Sequence, residues 1–482
     1  MKMMRDGARI RSALEIALMV RDGQVVRDGQ VRPSDIAAEC LARIDASQAS
    51  LNAFVTIAHA DASRNASALD TGSASLPLRG VPFSVKDNIE TLGTRTTFGS
   101  KTLATNMTKT EGVAVRRLRA AGAVMVGKTT LPEFASSLLG ESPLTGTTRN
   151  PWNLDLSPGG SSSGAAAAVA AGLGPIALTT DAGASTRVPA ALCGVLGIKP
   201  SMGLIPYELF PDGFGNFIHM GLITRTVADM AAALDVVSGE DPGDPLSIGI
   251  TPTDASAKLG EPLARDRLRI AWRPFLGNAA LDDEVRMLCE RTLEKLTGRG
   301  ARIETVIEPF EGAGPTWRVL QQVNWAGRFA LPDQATAKMM DPGFVAGLRA
   351  GAAISGKELN AAIYKRTAYF KLVQSWFQSF DWIATPVTTV ASIPGNAKGD
   401  SPISINGKVA GELRAVLAPY LNVFNLTGHP AISVPAGFTQ AGIPVGIQLV
   451  GRLFSDVDLL RLAKVIEDDQ PWADRIPAGA PA

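Results

Sequence analysis

From Ser157 to Gly172 the chain reads SPGGSSSGAAAAVAAG, a glycine–serine loop that opens directly into an alanine-rich helix. Side chains this small let a helix approach its neighbours closely, so the segment predicts a packed interior helix. The longest apolar run, Gly164 to Thr180, is built of Ala and Gly and broken by Pro175, so it reads as close packing and not as a membrane span. GPIALTTD follows as a strand, and AGASTRVPAA turns sharply from it into another helix.

The same alternation runs through the rest of the chain. Residues 8 to 60 read as helices, the second capped by Ser34 and striped by Ile36, Leu41 and Ile44. PFSVKDNI, from Pro82, reads as a short strand entering a polar loop. GVAVRRLRAAG is a helix ended by Gly122, and AVMVGKT is a buried strand. After the helix in ITRTVADMAAALDVVSG, residues 240 to 266 form a polar surface connection. LRIAWRP, ARIETVI, DWIATPV, AISVPAG and PVGIQLVG are later strands. Helices fill DEVRMLCERTLEKLTGRG, residues 315 to 380 and VDLLRLAKVIEDD, and GNAKGDSPISINGK reads as a loop. Alternating strands and helices favour an α/β fold with a mixed, largely parallel sheet, and no domain boundary stands out within residues 1–482.

Composition removes several function classes. Lys plus Arg is 47 against 46 for Asp plus Glu, which gives no bulk attraction to nucleic acid or to an anionic membrane. Cys40, Cys193 and Cys289 are far apart and odd in number, which argues against a disulfide framework or a zinc site and for reduced thiols in a cytoplasmic setting. Glu15 interrupts the first apolar stretch and no small-residue cleavage site follows, so the amino terminus does not read as a signal peptide.

Two short patterns mislead. Gly122 to Thr129 (GAVMVGKT) matches the phosphate-loop spacing, but its middle is a β-branched strand that follows a helix, where a phosphate loop needs an amide-exposing turn opening one. Gly160 to Gly164 (GSSSG) matches the nucleophile elbow, which would make Ser162 the nucleophile and demand a later Asp and His. Of the three histidines, His59, His219 and His429, only His429 lies late enough, and GHPAISVPAG reads as a turn before a strand.

Three features then remain: Lys86 at the end of an apolar strand, Ser161 in SPGGSSSG, and Ser185 in TTDAGASTRVPAALCGVLGIKPS. A lone lysine after Phe83, Ser84 and Val85 would ordinarily snorkel to the surface. The joint pattern says otherwise. SPGGSSSGAAAAVAAG…TTDAGASTRVPAALCGVLGIKPS resembles the signature stretch of the amidase signature family. Ser161 precedes Ser185 by 24 residues and follows Lys86 by 75, as in that family. RGVPFSVKDNI is similar to the family's lysine segment, ARIDASQASLNAF to its amino-terminal helix, and FNLTGHPAISVPAG…GIPVGIQLVG to its carboxyl-terminal segment. The resemblance covers most of the chain.

It implies a single amidase domain over residues 1–482 with a signature core at about 80–230, and a sheet covered by helices on both faces. It implies that Ser185 attacks an amide carbonyl, that Ser161 relays the proton, and that neutral Lys86 is the base, its pKa lowered by burial. No metal or cofactor is then required, and the scarcity of histidine fits. The N–H groups of Ala182, Gly183, Ala184 and Ser185 would receive the oxyanion. The relay serine would follow a cis peptide bond, Gly160–Ser161. Ser162 would hydrogen-bond Lys86 or cap the helix, Asp181 and Arg187 would hold the turn, and Ala135 and Ser137 would line the acyl pocket.

The chain departs from the family at Ser163 and Ala165 in the first motif and at Ala184, where the family carries a second glycine; Ala184 tolerates positive φ poorly and is expected to narrow the oxyanion site or tilt the nucleophile. The helices bearing Trp317, Trp325 and Trp376 and the loop around 390–410 would supply a lid or core. The expected substrate is a small acyl, aryl or linear amide, with no nucleic-acid or membrane partner, and a homodimer is compatible with the resemblance. The alternative is the glutaminase component of a tRNA-dependent amidotransferase, which shares the triad; its amino-acid-binding arginine segment is not evident between 330 and 390, where KRTAYFKLVQSW is a poor substitute.

Overall fold

The computed structural model describes residues 5–6, 9–22, 25–26, 29–71, 75–263 and 268–481; the opening Met1–Met4 and positions 264–266 of the expected connection lie outside them. Eleven strands form one sheet: β1 (Phe54–Ile57), β2 (Pro82–Lys86), β3 (Val124–Thr129), β4 (Ile176–Asp181), β5 (Leu196–Lys199), β6 (His219–Thr224), β7 (Arg269–Trp272), β8 (Arg302–Thr305), β9 (Trp382–Pro386), β10 (Ala431–Phe438) and β11 (Pro444–Val450). Their order across the sheet is β8-β7-β9-β11-β10-β5-β6-β4-β2-β3-β1. Pairing is parallel in the groups β4-β2-β3 and β8-β7-β9, and antiparallel between the remaining neighbours.

Because side chains alternate along a strand, the sheet has two different faces. Phe83, Val85, Ile176, Leu178, Leu196, Ile198, Ile432 and Ile447 point into a large aliphatic core with Leu234, Leu288 and Leu459. Those three sit on helices Val227–Val237, Asp283–Gly298 and Asp456–Asp469. The intervening residues face the opposite way, toward α1 (Ser163–Ala170) and α2 (Arg187–Cys193). Contact there is close: a Cβ at Gly197 would sit 2.5 Å from Ala190 Cβ, and one at Gly446 2.6 Å from Ala191 Cβ. The small residues of α2 are therefore a packing requirement; in α1, where a Cβ at Gly164 would lie 2.1 Å from Ala53 O, every residue is buried. Lys86, Asp181, Lys199, His219 and Gln448 share this tight face by the same alternation.

Some local expectations are corrected. Within the stretch read as helical, Phe54–Ile57 (FVTI) is an edge strand, as its β-branched residues favour. The helix expected to start at Ser34 begins at Pro33, with Arg32 as its cap residue and Ser34 inside the first turn, because proline is pre-set for the first helical position. Part of GNAKGDSPISINGK is a β-hairpin, Pro402–Ile405 with Lys408–Glu412, turned at Asn406 (φ 49°) and Gly407 (φ 77°). An Asn-Gly pair suits two left-handed residues and is the strongest short hairpin signal. Among the described residues, no helix is long and apolar enough to cross a membrane.

Candidate active site

Strands β2 and β4 run side by side in the same direction, so Lys86 and Asp181 end them at one edge of the sheet. Ligands in open α/β sheets gather at such carboxyl ends. The loop before α1 crosses this edge. It contains a cis peptide bond at Gly160–Ser161, and a Cβ at Gly160 would lie 2.6 Å from Leu139 O, so glycine is required where the 138–139 backbone passes. Lys86 Nζ lies 2.7 Å from Ser161 Oγ and donates to Thr180 O at 3.2 Å. Burial lowers the Lys86 ammonium to a pKa of about 7, against a weaker opposing pull from Asp181. Near neutral pH the amine is thus about half unprotonated and able to accept a proton.

Ser185 stands on the turn between β4 and α2. Ser162 N donates to Ser185 O at 3.0 Å, which ties the loop carrying Ser161 to the turn carrying Ser185. Ser161 and Lys86 are fully buried, whereas Ser185 keeps 7% of its surface, so of the three only Ser185 can meet a molecule arriving from outside. Among the described residues, the N–H groups of Ala182, Gly183, Ala184 and Ser185 have no acceptor. Thr186 N, by contrast, is taken by Asp181 Oδ2 at 3.1 Å. Successive open amides on one turn form a concave anion site.

A buried ion pair fixes that turn. Arg187 forks onto Asp181 with two contacts of 3.0 Å, and its remaining donors reach Gln448 Oε1 at 2.7 Å and Asn425 Oδ1 at 2.5 Å. Asn425 Nδ2 also donates to Asp181 O at 2.7 Å. Burial alone would raise the Asp181 carboxyl; the Arg187 charge outweighs it and holds the group well below the usual carboxylate range. Both groups are buried and their hydrogen-bonding capacity is met, the condition under which a buried pair is tolerated.

The remaining expected residues fall out unevenly. Neither Gly183 nor Ala184 adopts a positive φ, so the alanine at 184 is unstrained. Glycine is needed at 183 for another reason: a Cβ there would lie 2.7 Å from Trp317 Nε1 and 2.9 Å from Asn422 Oδ1. The hydroxyl of Ser162 is buried without a partner, so it neither bonds Lys86 nor caps α1. Ala135 has φ 56°, next to Phe134 at 48°, and Ser137 Oγ accepts from Leu139 N at 3.2 Å on the segment that passes Gly160. Trp317, Trp325 and Trp376 are all buried, and Trp317 belongs to the site, donating from Nε1 to Ala182 O at 2.6 Å. The phosphate-loop pattern lies on β3, where Lys128 donates inward to Ile89 O and Thr96 Oγ1 at 2.5 and 2.8 Å. His429 Nδ1 meets Thr427 Oγ1 at 2.9 Å in the turn before β10, away from Ser162.

Sequence reasoning missed Asn425, Gln448 and Asn422, and named Trp317 only as lid or core. Gln448 carried a usable signal, a polar residue at an inward register of the apolar strand PVGIQLV. The helix Pro419–Thr427 supplies Asn422 and Asn425, three residues apart on one face and buried with the rest of the helix from Tyr420 on, so neither stood out as an exposed polar position.

Comparison with known proteins agrees with this architecture. The Amidase family model matches residues 35–460. An acylamidase of Rhodococcus erythropolis is 36% identical over 462 residues, 94% of this chain and 95% of the relative. A glutamyl-tRNA(Gln) amidotransferase subunit of Prochlorococcus marinus (strain MIT 9313) is 33% identical over 470 residues, covering 91% and 94%. A bacterial aryl acylamidase of the amidase signature family superposes with TM-score 0.90 at 28% identity, covering 99% of this chain and 100% of that one. The chain belongs to the amidase signature family and is a hydrolase of carbon–nitrogen bonds.

Proposed function

We propose that the protein hydrolyses a small carboxamide to a carboxylate and ammonia or an amine through an acyl-enzyme on Ser185. The observation that carries this reading is Lys86, a fully buried amine with a pKa of about 7, lying 2.7 Å from Ser161 Oγ. Ser185 Oγ attacks the carbonyl carbon as its proton passes to Ser161, whose own proton passes to Lys86 Nζ. The tetrahedral oxyanion rests against the N–H groups of residues 182–185. On collapse the C–N bond breaks and the proton returns through Ser161 to the leaving nitrogen, which an amide requires because its anion leaves poorly. Water, deprotonated along the same path, then cleaves the ester and restores Ser185. Asp181 and Arg187 hold the turn and touch no reacting atom in this scheme.

The test is ammonia or amine release from a panel of neutral amides, beside Ser185→Ala, Lys86→Ala and Ser162→Ala. The proposal expects the first two variants to lose turnover with their fold intact and the third to retain it. Full activity in Ser185→Ala with loss in Ser162→Ala would install the elbow mechanism instead. Similarity to the amidotransferase relative supports a second reading, a glutaminase that works only with a partner. Activity on simple amides by the chain alone separates the two.

A further inference from the structure

The proposed mechanism fixes the substrate carbonyl and leaves the rest of the molecule undefined. A cavity of about 410 Å3 has Trp317, Arg318, Arg414 and Asn422 in its lining. Two of those side chains reach the oxyanion turn: Trp317 binds Ala182 O, and Trp317 and Asn422 together close the space over Gly183. Arg414 reaches the other wall, donating to Ser136 O at 2.7 Å on the segment that carries Ala135 and Ser137.

The polar groups here lack an anion. Arg414 lies over the Trp317 ring at 4.9 Å and uses one guanidinium nitrogen on Ser136; it forms no ion pair among the described residues. An arginine has five N–H donors, so most of this fork is open. Arg318, exposed at the cavity mouth, also forms no ion pair among the described residues. The lining carboxylate, Glu311, is committed to Lys365 at 2.8 Å. Burial, and then repulsion from Arg318, lowers Arg414 to about 10, the direction expected of two cations sharing a site without an anion.

We propose that this cavity is a carboxylate subsite, so that the amide hydrolysed at Ser185 bears an acid group gripped by Arg414, with Arg318 assisting. Planar, two-pronged recognition of a carboxylate is what an arginine fork does best. The proposal rests on the amidase reading. The acid can be carried on the acyl side or on the amine side of the scissile bond.

Matched pairs test it. Glutaramate against pentanamide places the acid on the acyl side, and N-acetyl-β-alanine against N-propylacetamide places it on the amine side. The expected result is a kcat/KM ratio of about tenfold or more favouring the acid in one of the two pairs, the scale of a charge-assisted hydrogen bond. The responding pair assigns the side. Arg414→Gln should bring that ratio near one and Arg414→Lys should restore part of it. Arg318→Gln, which removes an exposed side chain with no bond to lose, should lower it severalfold without a folding complication. Ratios near one in both pairs, unchanged in the arginine variants, would overturn the subsite while leaving the amidase reading intact. If no amide is cleaved, glutarate is the probe in thermal melts. Saturable stabilisation of the wild type that weakens in Arg318→Gln upholds the subsite although the amidase reading fails, and absence of stabilisation removes both.

Discussion

Replacing Lys86 with methionine should abolish amide hydrolysis and, at neutral pH, make the protein more stable. In the unfolded chain this amine titrates at its ordinary value of 10.5, and in the fold at about 7. At pH 7 folding must therefore strip about half a proton, on average, from a group that holds it firmly in water, at a cost of about 4 kcal/mol. Methionine has a similar length and no charge to desolvate. It forfeits the 2.7 Å contact with Ser161 and the 3.2 Å bond to Thr180 O, together worth about 2 kcal/mol, so the net gain at pH 7 is about 2 kcal/mol. For a chain of 482 residues that corresponds to roughly 2 °C in melting temperature. The sign follows from linkage: between pH 7 and 10.5 the unfolded state holds more protons than the native one, so wild-type stability rises through that window. The advantage of Lys86→Met should accordingly be largest at or below pH 7 and vanish or reverse near pH 10.5. Urea midpoints of both proteins across this range measure it, since other titrations cancel in the difference. A variant no more stable than wild type at pH 7, or a difference flat across the window, would refute a buried, largely neutral lysine.

Other perturbations probe separate parts of the site. In a pH series, kcat/KM should climb as Lys86 loses its proton, with a half-point at about 7; a rate independent of pH between 6 and 8 would contradict Lys86 as the base. Gly183→Ala should lower kcat by about tenfold or more, because the new Cβ would sit 2.7 Å from Trp317 Nε1 and push the oxyanion turn outward; unchanged kinetics would show that the turn tolerates displacement. Arg187→Met should destabilise the fold by about 3–5 kcal/mol by leaving the Asp181 carboxylate buried and unpaired, while adding Asp181→Asn should recover much of the loss. Denaturation midpoints of the single and double variants read this directly, and additive losses would argue against the pair as the cause.

The parts of the molecule legible in the sequence are those specified locally. The apolar run of β2, the small residues of α1 and the sharp β4-to-α2 turn each follow from side-chain size and alternation. That local pattern also put Lys86 on the same sheet face as Asp181. Long-range pairing is written far less plainly. The antiparallel middle of the sheet joins β5 to β10 and β9 to β11 across long stretches of chain, and nothing in either strand names its partner. Asn425 and Gln448 reach Arg187 from positions 238 and 261 residues away, so their roles appear only after folding. Ser162 marks the opposite limit: its motif suggests two hydrogen bonds, and the loop geometry leaves its hydroxyl with neither. The hairpin at Asn406–Gly407 is encoded in two residues and obscured by the polar loop around them.

In the proposed mechanism Ser185 is a nucleophile activated through Ser161 by buried Lys86. A serine-reactive fluorophosphonate, followed by peptide mapping of the labelled residue, tests it most directly. The expected result is a single adduct on Ser185, formed faster as pH rises through about 7 and lost in Lys86→Met. An adduct on Ser162, or one on Ser185 that forms at the wild-type rate without Lys86, would contradict it.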